Sequence, residues 1–546
     1  MGQGNSIAQV QTHDSIETLH DELRRGQLDC PRNKSAFIPI NVFDEKITAE
    51  RVLTTAGSAL GSCASYKAEQ IVQRAKKTFA ILVLSGCESI AYDLLIRDGM
   101  TDAHLPLSRS IPDSNILGWA GPQEQMIFES FATLKPRQVY NFCHEQWLAL
   151  APNFGGSEDH KMLCSKHPLP FRGKETIAST EFSTVFKTTL HPAHYNKGAE
   201  KDGIEVAVKE LMDKNKFEQE RRNLTIIGNL NNPHLIKHIA TYEVQNPDGS
   251  STYSIIFPLA SGGNLHTFWI TEDREPRTPE VIQWSLEQML GLAKAVRDLH
   301  KGFKGERHCR HGDLKPLNIL HFKDAPDSDS KGRGLLVIGD LGISKIHDEA
   351  TDNRDRATLT KATTPDYEPP EARGIRHSAD GSVTAGQGKP WSRKYDMWSL
   401  GCIFLEFAVW LFHDVAALDS FRMRRGPGPF YETRKVGDEV RVVVCQAARC
   451  VIEELQGDVR CCKQPGGDSD DAVPGPLKRF LDLIEGDMLV PEAEGRCDAD
   501  RLVAELEGIL EEARQDPAGH FQRMSNPPAC ISASAVNKSS QVWDRT

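Results

Sequence analysis

Residues 311–318 read HGDLKPLN, residues 335–338 read LLVI and residues 340–342 read DLG, and these three pieces decide the fold. The first piece places an acid, a lysine and an amide within six residues. The second is a short aliphatic run of the kind that forms a buried strand, so the third piece puts another acid directly after a strand. Phosphoryl transfer needs such a set, because its transition state is stabilised by positioned groups and metal charge more than by covalent help from the protein.

Four side chains of these pieces have predicted roles. Asp313 can accept or orient a hydroxyl proton, and Lys315 can neutralise a moving phosphoryl group. Asn318 and Asp340 offer hard oxygen ligands to magnesium, the ion that bridges nucleotide phosphates.

The pieces resemble the H-R-D-L-x-x-x-N and D-F-G signatures of eukaryotic protein kinases of the serine/threonine type. Further matches follow in the family's order: VAVK at 206–209, TPDYEPPE at 364–371 and KYDMWSLG at 394–401. The resemblance covers residues from about 170 to 515 and implies an α+β, bilobal protein-kinase-like fold. Such a fold has a small antiparallel β lobe and a larger helical lobe, here with a mostly helical N-terminal extension.

The resemblance also implies a set of ligands and site residues. The ligands are ATP and Mg²⁺, and the partners are protein substrates. Lys209 corresponds to the lysine that holds the α- and β-phosphates, Phe257 to the back of the adenine pocket, and Ala260 to the backbone donor of the hinge. The ATP-binding residues assigned in this way are Ile177, Val185, Ala207, Lys209, Glu220, Phe257, Pro258, Ala260 and Leu320.

The residues after the DLG piece resemble a peptide-docking activation segment. It includes Thr363, Thr364 and Glu371, and Arg496 stands where the family places the ion-pair partner of Glu371. Lys315 and Thr364 are marks of serine/threonine kinases, so the resemblance implies transfer of the ATP γ-phosphate to Ser or Thr hydroxyls.

Three departures from the family pattern leave an alternative open. The glycine-rich loop should lie at Ile177–Val185, but it reads IASTEFSTV and has no glycine to allow close approach to phosphates. Gly312 replaces the arginine that pairs with a phosphorylated activation segment. The carboxylate partner of Lys209 is ambiguous, since family spacing gives Asn223, Glu220 is our choice and Glu218 is the reserve. The alternative is a pseudokinase, a scaffold with weak nucleotide turnover or none.

The predicted organisation has four parts. Residues 1–150 are mostly helical, 151–170 form a linker, 171–515 form the kinase domain with its lobe boundary near 260, and 516–546 form a flexible tail. Polar insertions interrupt the helical lobe at 376–389 and 464–476. The front region resembles the leader of filamentous-fungal protein kinases at 74–84 and 144–152. It is predicted to be either an interaction or regulatory module or a packing extension of the sheet lobe.

Local patterns give more detailed expectations. Strands are predicted in the β-branched runs Thr176–Thr188, Glu205–Leu211 and Tyr253–Phe257, and a helix is predicted at about 216–229. Residues 65–84 have helical spacing. A long helix is predicted to begin at Pro279 with Thr278 as its N-cap, and its buried face would hold Ile282, Leu286, Met289, Ala293 and Val296.

Composition excludes some functions and locations. A net charge of -11 argues against a protein that coats nucleic acid. The 13 cysteines lack paired CxxC spacing, which favours reduced thiols in the cytoplasm or nucleus over zinc sites. The apolar run Leu400–Leu418 contains charged residues, so no membrane crossing is predicted. Gly2 fits a myristoylation pattern, but a single acyl chain gives only weak, reversible membrane association.

Overall fold

The structure, a computed structural model, describes most of the chain. The described residues are 18–30, 35–110, 115–120, 125–156, 160–196, 202–273, 277–302, 308–324, 332–340, 345–347, 365–373, 375–377, 383–385, 392–436, 439–458, 462–463 and 473–515.

The chain divides into two compact units. The first comprises residues up to Phe217 together with His238–Leu259, and the second comprises Glu218–Lys237 together with the residues from Ala260 onward. The first unit holds a β-sheet lobe and the second is mainly helical, which confirms the α+β fold with one sheet lobe and one helical lobe. The second unit begins at the predicted lobe boundary but also takes in Glu218–Lys237.

The N-terminal region, residues 18–150, contains helices and short strands. Its helices are α1 (Leu19–Arg25), α2 (Ile40–Lys46), α3 (Ala49–Leu60), α4 (Ala64–Arg74), α5 (Lys76–Ser85) and α6 (Pro136–Glu145). Its strands are β1 (Leu28–Cys30), β2 (Ser35–Phe37), β3 (Ser108–Arg109), β4 (Leu117–Ala120) and β5 (Gln125–Phe128). Thr18 and Thr48 cap α1 and α3, because their hydroxyl oxygens accept backbone N–H groups of the first turn.

A six-stranded sheet completes the first unit. Its strands are β6 (His160–Cys164), β7 (Phe171–Ser179), β8 (Ser183–Leu190), β9 (Ile204–Leu211), β10 (Ala240–Gln245) and β11 (Ser251–Pro258). The strand order is β6-β10-β11-β9-β8-β7, and all neighbours are antiparallel except the parallel pair β6–β10. The strands within the predicted lobe, β7 to β11, are antiparallel as predicted, and β6, from outside that lobe, adds a parallel strand at the edge.

Strand β6 also corrects the prediction of a linker over 151–170. The segment reads HKMLC between two polar, Gly- or Pro-containing stretches, and five residues are too few to show a period. It becomes a strand because the edge of β10 offers it a hydrogen-bonding partner, with Thr241 opposite His160 and Gln245 opposite Cys164.

The N-terminal region packs directly on one face of this sheet. Cys30 and Phe37 share a buried apolar cluster with Val206 and Val208 of β9 and with residues of β8 and β10. Alternate residues of a strand point to opposite faces, so Ala207 and Lys209 lie on the other side of the sheet. Of the two predictions for the front region, the packing extension is the one that this cluster supports.

Hydrogen bonds to one histidine reinforce the packing. The backbone N–H of Ile40 donates to His194 Nε2 at 3.3 Å, and His194 Nδ1 lies 3.0 Å from the carbonyl oxygen of Pro152. The ring of Phe37 is edge-on to both His191 and His194. These contacts fix the turn that follows β8 to the N-terminal region.

The remaining helices lie in the helical unit, apart from the start of α7. They are α7 (Lys214–Gly228, which begins in the first unit), α8 (Leu265–Thr271), α9 (Pro279–Lys301), α10 (Lys394–Phe412), α11 (Val415–Arg425), α12 (Gln446–Gln456), α13 (Pro476–Leu483) and α14 (Ala499–Gln515). Its strands form the two-stranded pairs β12 (His308–Arg310) with β15 (Lys345–His347), β13 (Ile319–Phe322) with β14 (Leu335–Ile338), β16 (Ile375–His377) with β17 (Val383–Ala385), β18 (Tyr431–Val436) with β19 (Glu439–Val444), and β20 (Cys462–Lys463) with β21 (Val473–Pro474).

Helix α9 begins at Pro279 with Thr278 at the N-cap position, and the five residues predicted for its inner face are all buried. Helix α10 is long and apolar enough to cross a bilayer, and among the described residues it alone meets that test. All of it is buried within the protein, which is the environment of a core helix.

Three local predictions need correction. The pattern at 65–84 is divided into α4 and α5 at Ala75, where Asp102 caps the new helix by accepting the N–H groups of Lys77 and Thr78. The run Thr176–Thr188 belongs to two strands, β7 and β8, and not to one. The described part of the predicted insertion 376–389 belongs to the hairpin strands β16 and β17. In the insertion 464–476, residues 464–472 lie outside the described residues, and the described part contains β21 and the start of α13.

Candidate active site

Four of the predicted ATP-binding residues share one face of the sheet. Val185 and Ile255 both lie opposite Lys209, while Phe257 lies opposite Ala207 two residues earlier on β9. Residues opposite each other in antiparallel strands, and residues two apart on one strand, point to the same side. Val185, Ala207, Lys209 and Phe257 are therefore gathered on the face opposite the N-terminal region.

The loop that joins β7 to β8 is held by its own hydrogen bonds. Thr180 N donates to Ser183 O at 2.8 Å, which closes the turn. Thr180 Oγ1 accepts from the backbone N–H groups of Phe182, at 3.3 Å, and Ser183, at 3.1 Å. Ile177 and Phe182 are about half exposed, at 53% and 50%. We call Ile177–Val185 the phosphate loop, after its place in the family pattern.

In the helical unit, Asp313, Lys315 and Asn318 form one hydrogen-bonded group. Lys315 Nζ lies 2.9 Å from Asp313 Oδ2, and Asn318 Nδ2 donates to the same oxygen at 3.0 Å and to the carbonyl oxygen of Asp313 at 2.8 Å. Asp313 and Asn318 are buried. The predicted base, phosphate-neutralising lysine and metal-binding amide are thus brought together in residues 311–318, which we call the catalytic loop.

A buried carboxylate of α10 holds the backbone of the catalytic loop. Asp396 Oδ2 accepts from the N–H of His311 at 2.9 Å and from His300 Nε2 at 2.8 Å, and Oδ1 accepts from the N–H of Gly312 at 2.9 Å. Burial would raise the pKa of Asp396, but the hydrogen bond and charge of His300, the charge of His311 and the Gly312 N–H together lower it. Asp396 therefore stays ionised and clamps two successive N–H groups.

Sequence reasoning did not assign a role to Asp396. The signal was present, because α10 is otherwise apolar and carries only two carboxylates after its first residue, Asp396 and Glu406. An acid inside a wholly buried helix needs hydrogen-bond donors, and such donors are often functional backbone groups.

Asn318 and Asp340 lie at the same end of the β13–β14 hairpin. Ile319 pairs with Ile338, so Asn318 immediately precedes the paired region on one strand and Asp340 follows it by two residues on the other. Gly339, between them, donates its N–H to Asn318 O and accepts from His311 Nε2 at 2.9 Å. Asp340 has a positive φ of 49°.

This arrangement fits magnesium. Mg²⁺ in nucleotide sites takes one or two protein oxygen ligands and fills its shell with phosphate oxygens and water. Asn318 uses its Nδ2 as a donor to Asp313, so its amide oxygen is the atom of this side chain that would bind a metal. No group of three or more His, Cys, Asp or Glu residues suited to a metal occurs among the described residues.

The predicted ion pair of Glu371 is present. Arg496 Nη1 and Nη2 donate to the two carboxylate oxygens of Glu371 at 2.8 and 3.0 Å. Its remaining donors reach the carbonyl oxygens of Val490, Lys394 and Pro491. The guanidinium is fully buried with every donor satisfied, so the pair is a structural anchor for the segment around Glu371.

A second buried carboxylate anchors the start of the same segment. Glu406 accepts from Arg422 through two bonds of 2.9 Å and from the hydroxyl of Tyr367 at 3.0 Å. Ser399 Oγ donates to the carbonyl oxygen of Tyr367 at 2.9 Å. Burial, with the nearby charge of Glu406, raises the pKa of Tyr367, so its hydroxyl remains a donor. The segment 365–371 is therefore held by α10 at Tyr367 and by Arg496 at Glu371.

The remaining predicted residues differ in how far the structure describes them. Glu220 and Asn223 of α7 are buried, whereas Glu218 is partly exposed and pairs with Arg221 at 2.9 Å. This favours Glu220 over Glu218, and its role stays a prediction. Pro258 is exposed at the end of β11, and Ala260 and Leu320 are half-buried. The predicted residues that lie outside the described residues are Gly2, Leu341, Gly342, Thr363 and Thr364.

Comparison with known proteins agrees with this geometry. Residues 179–414 match the model of the protein kinase domain family. The chain is 26% identical over 215 residues to the mouse serine/threonine-protein kinase Nek4, across 38% of this chain and 22% of that protein. It is 30% identical over 223 residues to a calcium/calmodulin-dependent protein kinase of Metarhizium anisopliae, across 40% of this chain and 48% of that protein. It is 28% identical over 192 residues to a calcium/calmodulin-dependent protein kinase type 1 of Macrobrachium nipponense, across 35% of this chain and 44% of that protein.

The chain thus spans less than half the length of each of these relatives. Together with the sheet lobe and helical lobe, the matches show that residues 179–414 are similar to the protein kinase domain and that the chain is similar to serine/threonine kinases.

Proposed function

We propose that the chain is an active, ATP- and Mg²⁺-dependent serine/threonine protein kinase that transfers the γ-phosphate of ATP to Ser or Thr hydroxyls of protein substrates. The observation that carries the proposal is the catalytic loop, where Asp313 contacts both Lys315 and Asn318 while Asp396 clamps the backbone before it. A scaffold that only binds partners has no need of this assembly.

Each side chain has a distinct part in the transfer. Asp313 accepts the proton of the substrate hydroxyl, and Lys315 neutralises the charge that develops on the transferred phosphoryl group. Lys209 binds the α- and β-phosphates. Asn318 and Asp340 would hold Mg²⁺, which supplies the positive charge that the phosphate oxygens need. Glu371 and Tyr367 hold in place the segment that the resemblance assigns to peptide docking.

The competing function is a pseudokinase scaffold, and one observation favours it. The phosphate loop has no glycine, and two of its backbone N–H groups are already occupied by Thr180 Oγ1. This weakens phosphate binding but removes none of the groups that perform the transfer, so we place the enzyme first. The proposed setting is the cytoplasm or nucleus, with at most weak membrane association through Gly2.

A phosphorylation assay separates the two functions. The full chain is incubated with [γ-³²P]ATP, Mg²⁺ and a generic basic protein, beside Asp313→Asn and Lys209→Met. Asp313→Asn keeps the size of the side chain but loses the base, so we expect incorporation of label to fall by about 10²–10⁴-fold. The control is Asp248→Asn, which changes an exposed turn acid between β10 and β11 and should keep full activity.

A wild type that incorporates no label, or an Asp313→Asn variant as active as the control, would contradict the enzyme. If the wild type also shows no thermal shift with ATP and Mg²⁺, the scaffold is the better function, because a ligand that binds only the folded state must stabilise it.

A further inference from the structure

In the phosphate loop, a side chain of the loop itself is already hydrogen-bonded to backbone N–H groups that would bind phosphate. Thr180 Oγ1 lies 3.3 Å from the backbone nitrogen of Phe182 and 3.1 Å from that of Ser183, and it accepts both N–H groups. The hydroxyl proton points back to Ser183, whose carbonyl oxygen and Oγ lie at 3.2 and 3.1 Å. The residue is exposed, but its hydroxyl is therefore hydrogen-bonded within the turn.

Backbone N–H groups in a tight turn are the usual protein ligands of nucleotide phosphates. In protein kinases a glycine-rich loop covers the phosphates, and glycine has no side chain that could bond to those N–H groups first. Thr180 stands at one of the positions where the family pattern has glycine. A hydroxyl at this position supplies the oxygen that a phosphate would otherwise supply.

We propose that Thr180 is an intramolecular competitor of the nucleotide phosphates, which sets the ATP affinity of this kinase by occupying the N–H groups of Phe182 and Ser183. The inference rests on the proposed function, since it assigns to the phosphate loop its family role. It adds that the loop is closed on itself before nucleotide binds. ATP must displace the Thr180 hydroxyl from both N–H groups in order to reach them.

ATP phosphate can displace the Thr180 hydroxyl from the two N–H groups. A bond from an N–H group to an ionised phosphate is stronger than one to a neutral hydroxyl, so ATP can replace Thr180. The exchange nevertheless subtracts the two neutral bonds from the binding free energy. A typical neutral hydrogen bond has a net worth of about one tenfold step in an equilibrium constant or somewhat less, so we expect removal of the hydroxyl to tighten ATP binding about 3- to 30-fold.

The test compares variants that differ in one hydroxyl. Thr180→Val keeps the size and branching of the side chain and loses the acceptor. Thr180→Ser keeps the acceptor. Thr54→Val removes a hydroxyl outside the phosphate loop, on α3, that donates to the carbonyl oxygen of Glu50 at 2.9 Å. Thr180 and Thr54 are both exposed, so all three full-length variants should keep the melting temperature of the ligand-free wild type.

Equilibrium binding of ATP and of adenosine, each with Mg²⁺, is then measured by calorimetry. We expect Thr180→Val to lower the Kd for ATP about 3- to 30-fold and to leave the Kd for adenosine unchanged, because adenosine has no phosphate to use the released N–H groups. Thr180→Ser and Thr54→Val should bind ATP within about twofold of wild type. In kinetic assays the gain should appear in the KM for ATP and not in kcat.

An ATP affinity that is unchanged or weaker in Thr180→Val overturns the inference, and weaker binding would mean that the hydroxyl preorganises the loop for phosphate. Equal tightening of ATP and adenosine also overturns it, since the effect would then not act through phosphate. The proposed function fails separately, by absence of Asp313-dependent label incorporation, whatever the ATP affinities prove to be.

Discussion

The phosphate loop and the catalytic loop both depart from the protein kinase pattern, but they are built in opposite ways. The phosphate loop is largely exposed, and the hydrogen bonds of its tip are made within the loop itself. The catalytic loop is mostly buried, and its backbone is held from outside by Asp396 of α10. A departure at Gly312 changes one side chain and leaves the clamp intact, whereas a departure at Thr180 changes which backbone groups are available. The same kind of substitution therefore has different consequences in the two loops.

The largest effect is expected from breaking the clamp of the catalytic loop with Asp396→Asn. An amide has one acceptor oxygen for three donors, those of His311, Gly312 and His300, and its NH₂ group would face an N–H group. Removing a charge from a buried, fully hydrogen-bonded site costs about 3–5 kcal/mol, so the free energy of unfolding should fall by that amount. Urea unfolding followed by circular dichroism measures it.

Activity of the same variant sharpens the comparison. In the fraction that remains folded, kcat should fall at least about tenfold because Asp313 loses its fixed position, while the Kd for ATP should change little. Asp248→Asn is the matched control for the loss of a surface charge. If Asp396→Asn keeps wild-type kcat and stability, the catalytic loop does not depend on α10.

The next largest effect is expected just after the C-terminal end of β8. This turn is anchored to the N-terminal region through His194, whereas the phosphate loop at the other end of β8 bonds within itself. Burial, despite the hydrogen bond to Pro152 and helped by the charges of His191 and Lys77, lowers the pKa of His194 from 6.5 to about 4. In the unfolded chain His194 binds a proton near pH 6.5, and in the folded protein it does not until about pH 4. The contribution of neutral His194 to stability is therefore fully present above pH 6.5. It is lost as the pH falls to about 4, and the free energy of unfolding then falls by up to about 3 kcal/mol.

His194→Gln isolates this contribution. Gln can accept from the N–H of Ile40 and donate to the carbonyl of Pro152 but cannot be protonated, so the loss of unfolding free energy between pH 7 and pH 4.5 should be smaller than in wild type. His144→Gln, at an exposed position, serves as the control. Parallel pH profiles for wild type and His194→Gln would show that the histidine does not link this turn to the N-terminal region.

Much of the helical lobe and its catalytic loop could be predicted, because the signals are local. The inner face of α9 follows from its 3.6-residue period, and the group of Asp313, Lys315 and Asn318 follows from one continuous octet. The acid at Asp396 within an apolar helix signals a need for hydrogen-bond donors, but its partners in the catalytic loop could not be predicted, since Asp396 lies 85 residues from His311 and no local pattern links them. Strand β6 and the hydrogen bonds of Thr180 in the phosphate loop could not be predicted either, for related reasons. The first depends on the free edge of β10, and the second on a side-chain rotamer that spacing does not encode.

The smallest effect is expected from Gly312→Arg, which restores the family residue in the catalytic loop and so tests the comparison of the two loops directly. Gly312 has a φ of 81°, which costs a residue with a β-carbon about 1–2 kcal/mol, and the new β-carbon would lie 3.3 Å from Nε of Arg310. We expect the free energy of unfolding to fall by about 1–2 kcal/mol without any gain in kcat, and Gly312→Ala to show most of the same loss, since the cost lies in the backbone. Thr180→Gly, which restores the family residue in the phosphate loop, should instead tighten ATP binding. Opposite outcomes for Gly312→Arg and Thr180→Gly would follow from the different construction of the two loops. A gain in kcat with Gly312→Arg would contradict this, because it would show that the backbone held by Asp396 does not require glycine at position 312.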